Sequence, residues 1–252
     1  MKLLASDFDN TLWFEDHMKE DDASSIKLFQ SQNNLFGLCT GRHINGINGL
    51  YNPFGIHYDF YIMLNGSIIY DSDLNIIFEK GIPLHIAKDI YHAVNEPNAS
   101  FAYYDDLYLL YTKPATYKNV LYSTIDSLDE LTDEHLISFS FHYDINDIEQ
   151  AQFTTHYIND HYGQYVHAFL NQNHIDVSAR GCSKGEGLKI VQHHFNILKD
   201  DMYCIGDSWN DLPMIKSIEN SFTFTYSPTD VMDEAKYIVN NLKECIDKIN
   251  EE

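Results

Sequence analysis

Two aspartates one residue apart, Asp7 and Asp9, close the apolar run "LLASDFDNTLWF" at residues 3–14. Three further apolar runs also end in polar residues: Thr40-Gly41-Arg42 in "CTGR", Asn65-Gly66 after "DFYIML", and Asp207, Asn210 and Asp211 in "GDSWND". Open parallel sheets bind their ligands where strands end at the carboxyl edge, so such junctions are where chemistry is to be sought. If the four converge, as many as four carboxylates meet, an arrangement that like-charge repulsion disfavours without a cation. A hard, oxygen-seeking ion resolves it. Mg2+ takes few carboxylates and several waters in an octahedral shell and commonly accompanies phosphate groups, whereas no His or Cys pair stands at zinc-ligand spacing.

In that setting Asp7 can attack phosphorus, and the acyl phosphate so formed splits one difficult displacement into two. Asp9 lies past the strand end and need not face away from Asp7. Beside the leaving oxygen it could donate a proton and later take one from water. An isolated DxD at a strand end is most often a turn or a helix cap. The weight of this one comes from the other three junctions.

The elements that must position these residues alternate. The β-rich runs "KLLASDF", "NLFGLCT" and "DFYIMLN" are separated by a predicted helix over 22–32 and another from about His43. The far end repeats the pattern, with helices over 184–195, 210–217 and 241–249 around the strands "DMYCIGD" and "NSFTFTY". Such alternation predicts crossover units and an α/β, doubly wound, Rossmann-like parallel sheet. Between the two ends the texture changes. "SIIYDSDLNIIFEKG" reads as a hairpin, and from Pro83 to Ser178 come a helix, the strands "SFAYY" and "LYLLYT", more helix, "LISFSFHY", another helix, and the pair "YVHAFL" and "HIDVSA". This hairpin-rich α+β style predicts an antiparallel sheet with helices on one face. The expected organisation is a core domain of residues 1–81 and 180–252, with an α+β domain of residues 82–179 inserted into it.

The strings "DFDNTL", "CTGR", "SKGEGL" and "GDSWNDLPM", in that order, resemble the four motifs of the haloacid dehalogenase-like superfamily of phosphohydrolases. The insert between the second and third resembles the type IIB cap of Cof-like sugar-phosphate phosphatases. "HIDVSARGCSKGEGL" is similar to that group's approach to the third motif, with Asp176 where Glu is usual and Ala179 where Pro is usual. The resemblance implies Asp7 as nucleophile, Asp9 as acid/base, Thr40 as a phosphate-binding hydroxyl and Lys184 as the cation beside the phosphoryl group. It implies Mg2+ held by Asp7, the Asp9 carbonyl and Asp207, with Asp211 supporting the metal shell and Asn210 contacting phosphate or orienting that shell. Gly41 and Arg42 follow as further substrate-binding candidates. Asn10 stands where the family usually has Gly, and Asn is among the few residues that tolerate positive φ.

The bulk composition agrees with a folded enzyme acting on small molecules. A chain of 252 residues, 44% hydrophobic and 14% aromatic, can bury a sizeable core. Its formal charge of −22 repels nucleic acid and anionic membranes, so an anionic substrate needs local positive charge. The four cysteines form no CxxC pair and read as reduced thiols. No run approaches a membrane span and no signal peptide opens the chain, which points to the cytoplasm. His193-His194 read as helix surface and core edge, and Tyr103, Tyr104, Tyr108 and Tyr111 as sheet packing. The expected activity is a Mg2+-dependent phosphatase for small phosphorylated metabolites. A phosphomutase and a noncatalytic phosphometabolite-binding regulator are the rival readings, and the second would be expected to lose an essential carboxylate or lysine.

Overall fold

A computed structural model of the chain describes residues 1–14, 17–48, 52, 54–94, 98–104, 106–110, 120–171 and 173–251. The chain divides into two compact units. The first comprises Met1–Thr40, Tyr51–Phe78 and Ser183–Glu252, and the second Gly41–Leu50 and Glu79–Cys182. Relative to the expected boundaries, residues 41–50, 79–81 and 180–182 go with the second unit.

The first unit is built on an eight-stranded sheet. From edge to edge its strands are Tyr237–Val239, Asn220–Phe224, Met202–Ile205, Leu3–Ser6, Leu35–Cys39, Phe60–Met63, Ile68–Asp71 and Ile76–Glu79. The first six run parallel, and the seventh pairs antiparallel with Phe60–Met63. The hairpin expected in "SIIYDSDLNIIFEKG" thus extends this sheet at one edge. Leu3, Leu4, Ala5 and Ser6 are all fully buried, as befits a central parallel strand covered on both faces. Leu3 and Ala5 share one apolar cluster with Phe60, Ile62 and Met202, and with Leu188 and Val191 of the helix Lys184–Phe195. The helices Glu20–Ser31 and Leu242–Glu251 are tied together where Asp22 Oδ1 accepts the Lys243 N–H at 3.0 Å. All four cysteines are buried and unbridged.

The second unit carries a six-stranded sheet ordered Val166–Asn171, His174–Ala179, Ser138–His142, Ala99–Ala102, Leu107–Leu110 and Ser123–Thr124. Its pairs are antiparallel except the last. Alternation splits it into an apolar face with Phe101, Phe139 and Phe141, and a polar face with Ser100, Ser140, His142, His174 and Asp176. Tyr91, from the helix Leu84–Val94, stacks on Phe141 at 6.2 Å, which places that helix on the apolar face. On the other face the His142 and His174 Nδ1 atoms approach to 3.0 Å, and burial with the His174 charge pushes His142 down to about 3.

Local outcomes differ in places. The helix expected from His43 is a single turn, Asn45–Asn48. The helix expected between "LYLLYT" and "LISFSFHY" falls partly on residues 111–119, outside the described residues, and the described part forms one 3-10 turn at Leu128–Glu130. The strand Tyr237–Val239 and the turn of helix Thr229–Met232 were not expected. Tyr103 is buried and meets Tyr108 edge-on at 5.7 Å, Tyr104 is exposed, and Tyr111 lies outside the described residues. Among the described residues no helix is long and apolar enough to cross a membrane.

Candidate active site

Asp7 is the first residue past the strand Leu3–Ser6, and its N–H still donates to Ile205 O at 2.9 Å. The neighbouring strand, rather than a loop, therefore fixes its backbone. Beyond it the chain makes a tight turn. The N–H groups of Leu12 and Trp13 both donate to Phe8 O (3.0 and 2.8 Å), that of Asn10 donates to Trp13 O (2.9 Å), and the Phe8 and Trp13 rings stack 5.7 Å apart. Asn10 takes φ 57°, the conformation foreseen for a position where Gly is usual. The turn leaves Asp9 partly exposed, with its charge felt at Asp7, and buries Thr11 completely. Thr11 Oγ1 donates to Asp207 Oδ1 at 3.0 Å.

Lys184 opens the helix Lys184–Phe195 after Ser183, whose Oγ accepts the Glu186 N–H at 3.1 Å. Its side chain is fully buried. Nζ donates to Asp7 Oδ1 and to Asp211 Oδ1, at 2.5 Å each. Asp211 Oδ2 accepts the N–H groups of Asp207 (2.9 Å) and Ser208 (3.0 Å), so both of its oxygens are engaged in holding lysine and loop. A Cβ on Gly206 would lie 2.4 Å from Asp211 Cγ, so a larger residue there would push this carboxylate aside.

The remaining junctions support the lysine. Leu64, Asn65 and Gly66 all have positive φ (50°, 53° and 88°), and a Cβ on Gly66 would lie 2.3 Å from Ser183 O. Only glycine lets this loop press against the start of the lysine-bearing helix. The Asn65 N–H donates to Thr40 O at 3.1 Å, and the Thr40 N–H to Ile62 O at 2.8 Å, which seats buried Thr40 at the end of its strand. Asn210 is buried within the turn Trp209–Asp211. Gly41 and Arg42 fall in the second unit, where Arg42 Nη1 donates to Gly46 O at 3.3 Å. His193 and His194 are exposed on their helix.

One ammonium faces several carboxylates here. Burial first and Asp211 second hold Asp7 well above the usual carboxylate range, against the pull of Lys184 and with Asp207 and Asp9 adding to the rise. Burial and Asp211 push Asp207 up to about 7 despite the Thr11 hydrogen bond and Lys184. Burial alone would lower the Lys184 pKa, but Asp211 and Asp7 outweigh it and hold it above its ordinary value. One carboxylate oxygen from each of Asp7, Asp207 and Asp211 lies within 4.8 Å of the others. Buried oxygen donors with unbalanced negative charge suit a divalent cation. Asp7 and Asp207 each carry a second carboxylate oxygen besides the one bonded to Lys184 or Thr11, whereas Asp211 has none to spare.

The sequence reading missed the part played by Thr11. It stands in the quoted "DFDNTL" run, but its hydroxyl received no task, because the partner that gives it one is 196 positions away.

The family model described as haloacid dehalogenase-like hydrolase matches residues 4–245. A protein of Mycoplasma capricolum is 26% identical over 96% of the chain and 98% of its own length. An HMP-PP phosphatase of Enterobacter sp. is 24% identical over 86% of the chain and 81% of its own length. Among solved structures, a haloacid dehalogenase-like hydrolase from B. subtilis superposes with a TM-score of 0.86 at 19% identity, covering 99% of both chains. A HAD subclass IIB sugar phosphatase superposes at 0.82 and 18% identity, covering 100% of this chain and 98% of that one. With its family model matched over nearly its whole length and the fold of subclass IIB, the chain belongs to the haloacid dehalogenase-like hydrolases.

Proposed function

We propose that the chain is a Mg2+-dependent phosphatase that hydrolyses small phosphomonoesters, sugar phosphates foremost, by way of an aspartyl phosphate on Asp7. The observation that carries this reading is Asp7 itself, a carboxylate at the carboxyl edge of a parallel sheet. It is paired at 2.5 Å with a fully buried lysine that Asp211 also holds. The phosphatase names of the relatives and the sugar-phosphatase fold neighbour support the substrate class.

In the first step an Asp7 carboxylate oxygen bonds to phosphorus as the ester P–O bond breaks, and Asp9 gives its proton to the departing oxygen. In the second, water attacks the phosphorus of the acyl phosphate and hands a proton to Asp9, which releases inorganic phosphate and restores Asp7. Asp7, Asp207 and the Asp9 carbonyl would hold Mg2+, which when bound offsets the negative charge of the phosphoryl oxygens. Lys184 supplies fixed positive charge beside the nucleophile, and because it is anchored in advance it costs no reorganisation during reaction. Asp211 holds Lys184 and the 207–208 backbone in place. Thr40 and Asn210 are the proposed phosphate contacts of the first unit. Gly41 and Arg42, in the second, are proposed substrate contacts on the strength of the resemblance.

The test is phosphate release from a panel of phosphorylated metabolites, with and without Mg2+, for the wild-type chain and Asp7→Asn. Mg2+-dependent release that Asp7→Asn abolishes is expected. Near-normal turnover by Asp7→Asn, full activity after exhaustive chelation, or isomerised sugar phosphate without free phosphate would each overturn the proposal.

A further inference from the structure

Tyr226 lies in the turn after the strand Asn220–Phe224, and none of the four motifs contains it. Its hydroxyl donates to the Asn10 carbonyl at 2.6 Å, immediately beyond Asp9. The ring stacks on Phe224 (4.8 Å, 10° between planes) and meets Phe14 edge-on at 6.4 Å. The strand that leads into this turn reaches the other acidic loop. Thr223 Oγ1 donates to Gly206 O, one residue before Asp207, at 2.8 Å, and bonds Ser227 Oγ at 2.8 Å. Ser227 Oγ in turn accepts the Phe224 N–H at 3.3 Å. This strand end and its turn therefore tie the residue after Asp9 to the residue before Asp207. Thr223 and Ser227 are buried, whereas Tyr226 is 50% exposed, so its ring is not a core element that the fold needs.

We propose that Tyr226 is a positioning residue for Asp9: its hydrogen bond to the Asn10 carbonyl holds the turn that aims the proton donor at the leaving oxygen. This rests on the phosphatase reading. Asn10 sits at positive φ, where a lone residue is easily lost to other conformations, and its N–H bond to Trp13 O braces only one side of the residue. The Tyr226 hydroxyl braces the other. Burial first, then the charges of Asp207, Asp22 and Asp7, hold its phenol above the ordinary pKa, so it remains a donor throughout the range in which such an enzyme would work.

Tyr226→Phe keeps both ring contacts and removes the hydroxyl alone. A proton donor matters most when the leaving group is basic, so kcat/KM measured over phosphomonoesters from p-nitrophenyl to simple alkyl separates aiming from general damage. The p-nitrophenyl ester should react within about twofold of wild type. The alkyl ester should lose about tenfold, the worth of one hydrogen bond in an otherwise fixed turn. In the metal-free protein, amide hydrogen exchange over residues 8–13 should quicken in the variant. A loss uniform across the series, an unchanged leaving-group slope, or unchanged exchange would each overturn the inference. A wild-type chain that releases phosphate from no ester overturns the phosphatase reading and this inference with it, whereas a wild-type slope that the variant leaves unaltered overturns the inference alone.

Discussion

Asp207→Asn should make the metal-free protein more stable at alkaline pH. Burial and the Asp211 charge push the Asp207 carboxyl up from 3.8 to about 7. A raised carboxyl pKa means that the folded state holds the proton more tightly than the unfolded chain. Its stabilising contribution is then complete below about pH 4 and is lost as pH climbs to about 7. At about 1.4 kcal/mol per pKa unit the full shift corresponds to ~4 kcal/mol, and relaxation of the cluster reduces what is realised to roughly 1–4 kcal/mol. Asparagine has the same shape without the charge and still offers Thr11 an acceptor. Urea unfolding in chelator, at pH 5 and pH 8, reads the effect. The variant should gain at pH 8, the gain should shrink at pH 5, and the melting temperature should move by about 2–4 °C per kcal/mol. Mg2+ should then raise the melting temperature of the wild type and barely move the variant. A variant less stable than wild type at pH 8, or a gain equal at both pH values, would refute the electrostatic account.

Asp211→Asn should behave in the opposite way. It strips a fully buried partner from Lys184 and disturbs two backbone N–H bonds, so a loss of about 3–5 kcal/mol is expected in the same unfolding assay. Gly66→Ala forces a Cβ into the Ser183 carbonyl at φ 88° and should cost roughly 2–4 kcal/mol. Because Ser183 starts the helix of Lys184, kcat for phosphate release should fall even at temperatures where the variant remains folded.

Much of the candidate site was legible because its residues sit at junctions that local patterning announces. The strand before Asp7, the strand before Asp207 and the helix from Lys184 show clear apolar runs or a capping serine, and these elements formed where expected. Asn10 could be read because few residues adopt positive φ. Thr11 and Tyr226 could not, since a hydroxyl acquires a task only through a partner far along the chain. The strand Tyr237–Val239 escaped because it is three residues at the sheet edge, too short for periodicity to show. The placement of residues 41–50 was likewise hidden, as the junction Thr40-Gly41-Arg42 carries no mark of the unit that follows it.

The pairing of Leu3–Ser6 with Met202–Ile205 has a consequence for how the molecule is made. Chains grow at roughly 5–20 residues per second, so about 200 residues of synthesis separate the two strands by ~10–40 s. During that interval the apolar strand ahead of Asp7 can pair with Leu35–Cys39 on one side while its other edge stays open. The stretch Glu79–Cys182, most of the second unit, is contiguous and emerges whole before the first unit can close. Synthesis thus delivers the inserted unit first, and the sheet that carries Asp7 is sealed last. Sealing brings in Lys184 and Asp211 almost together, so Asp7, the lysine that pairs with it and the carboxylate that anchors that lysine are assembled in one late event.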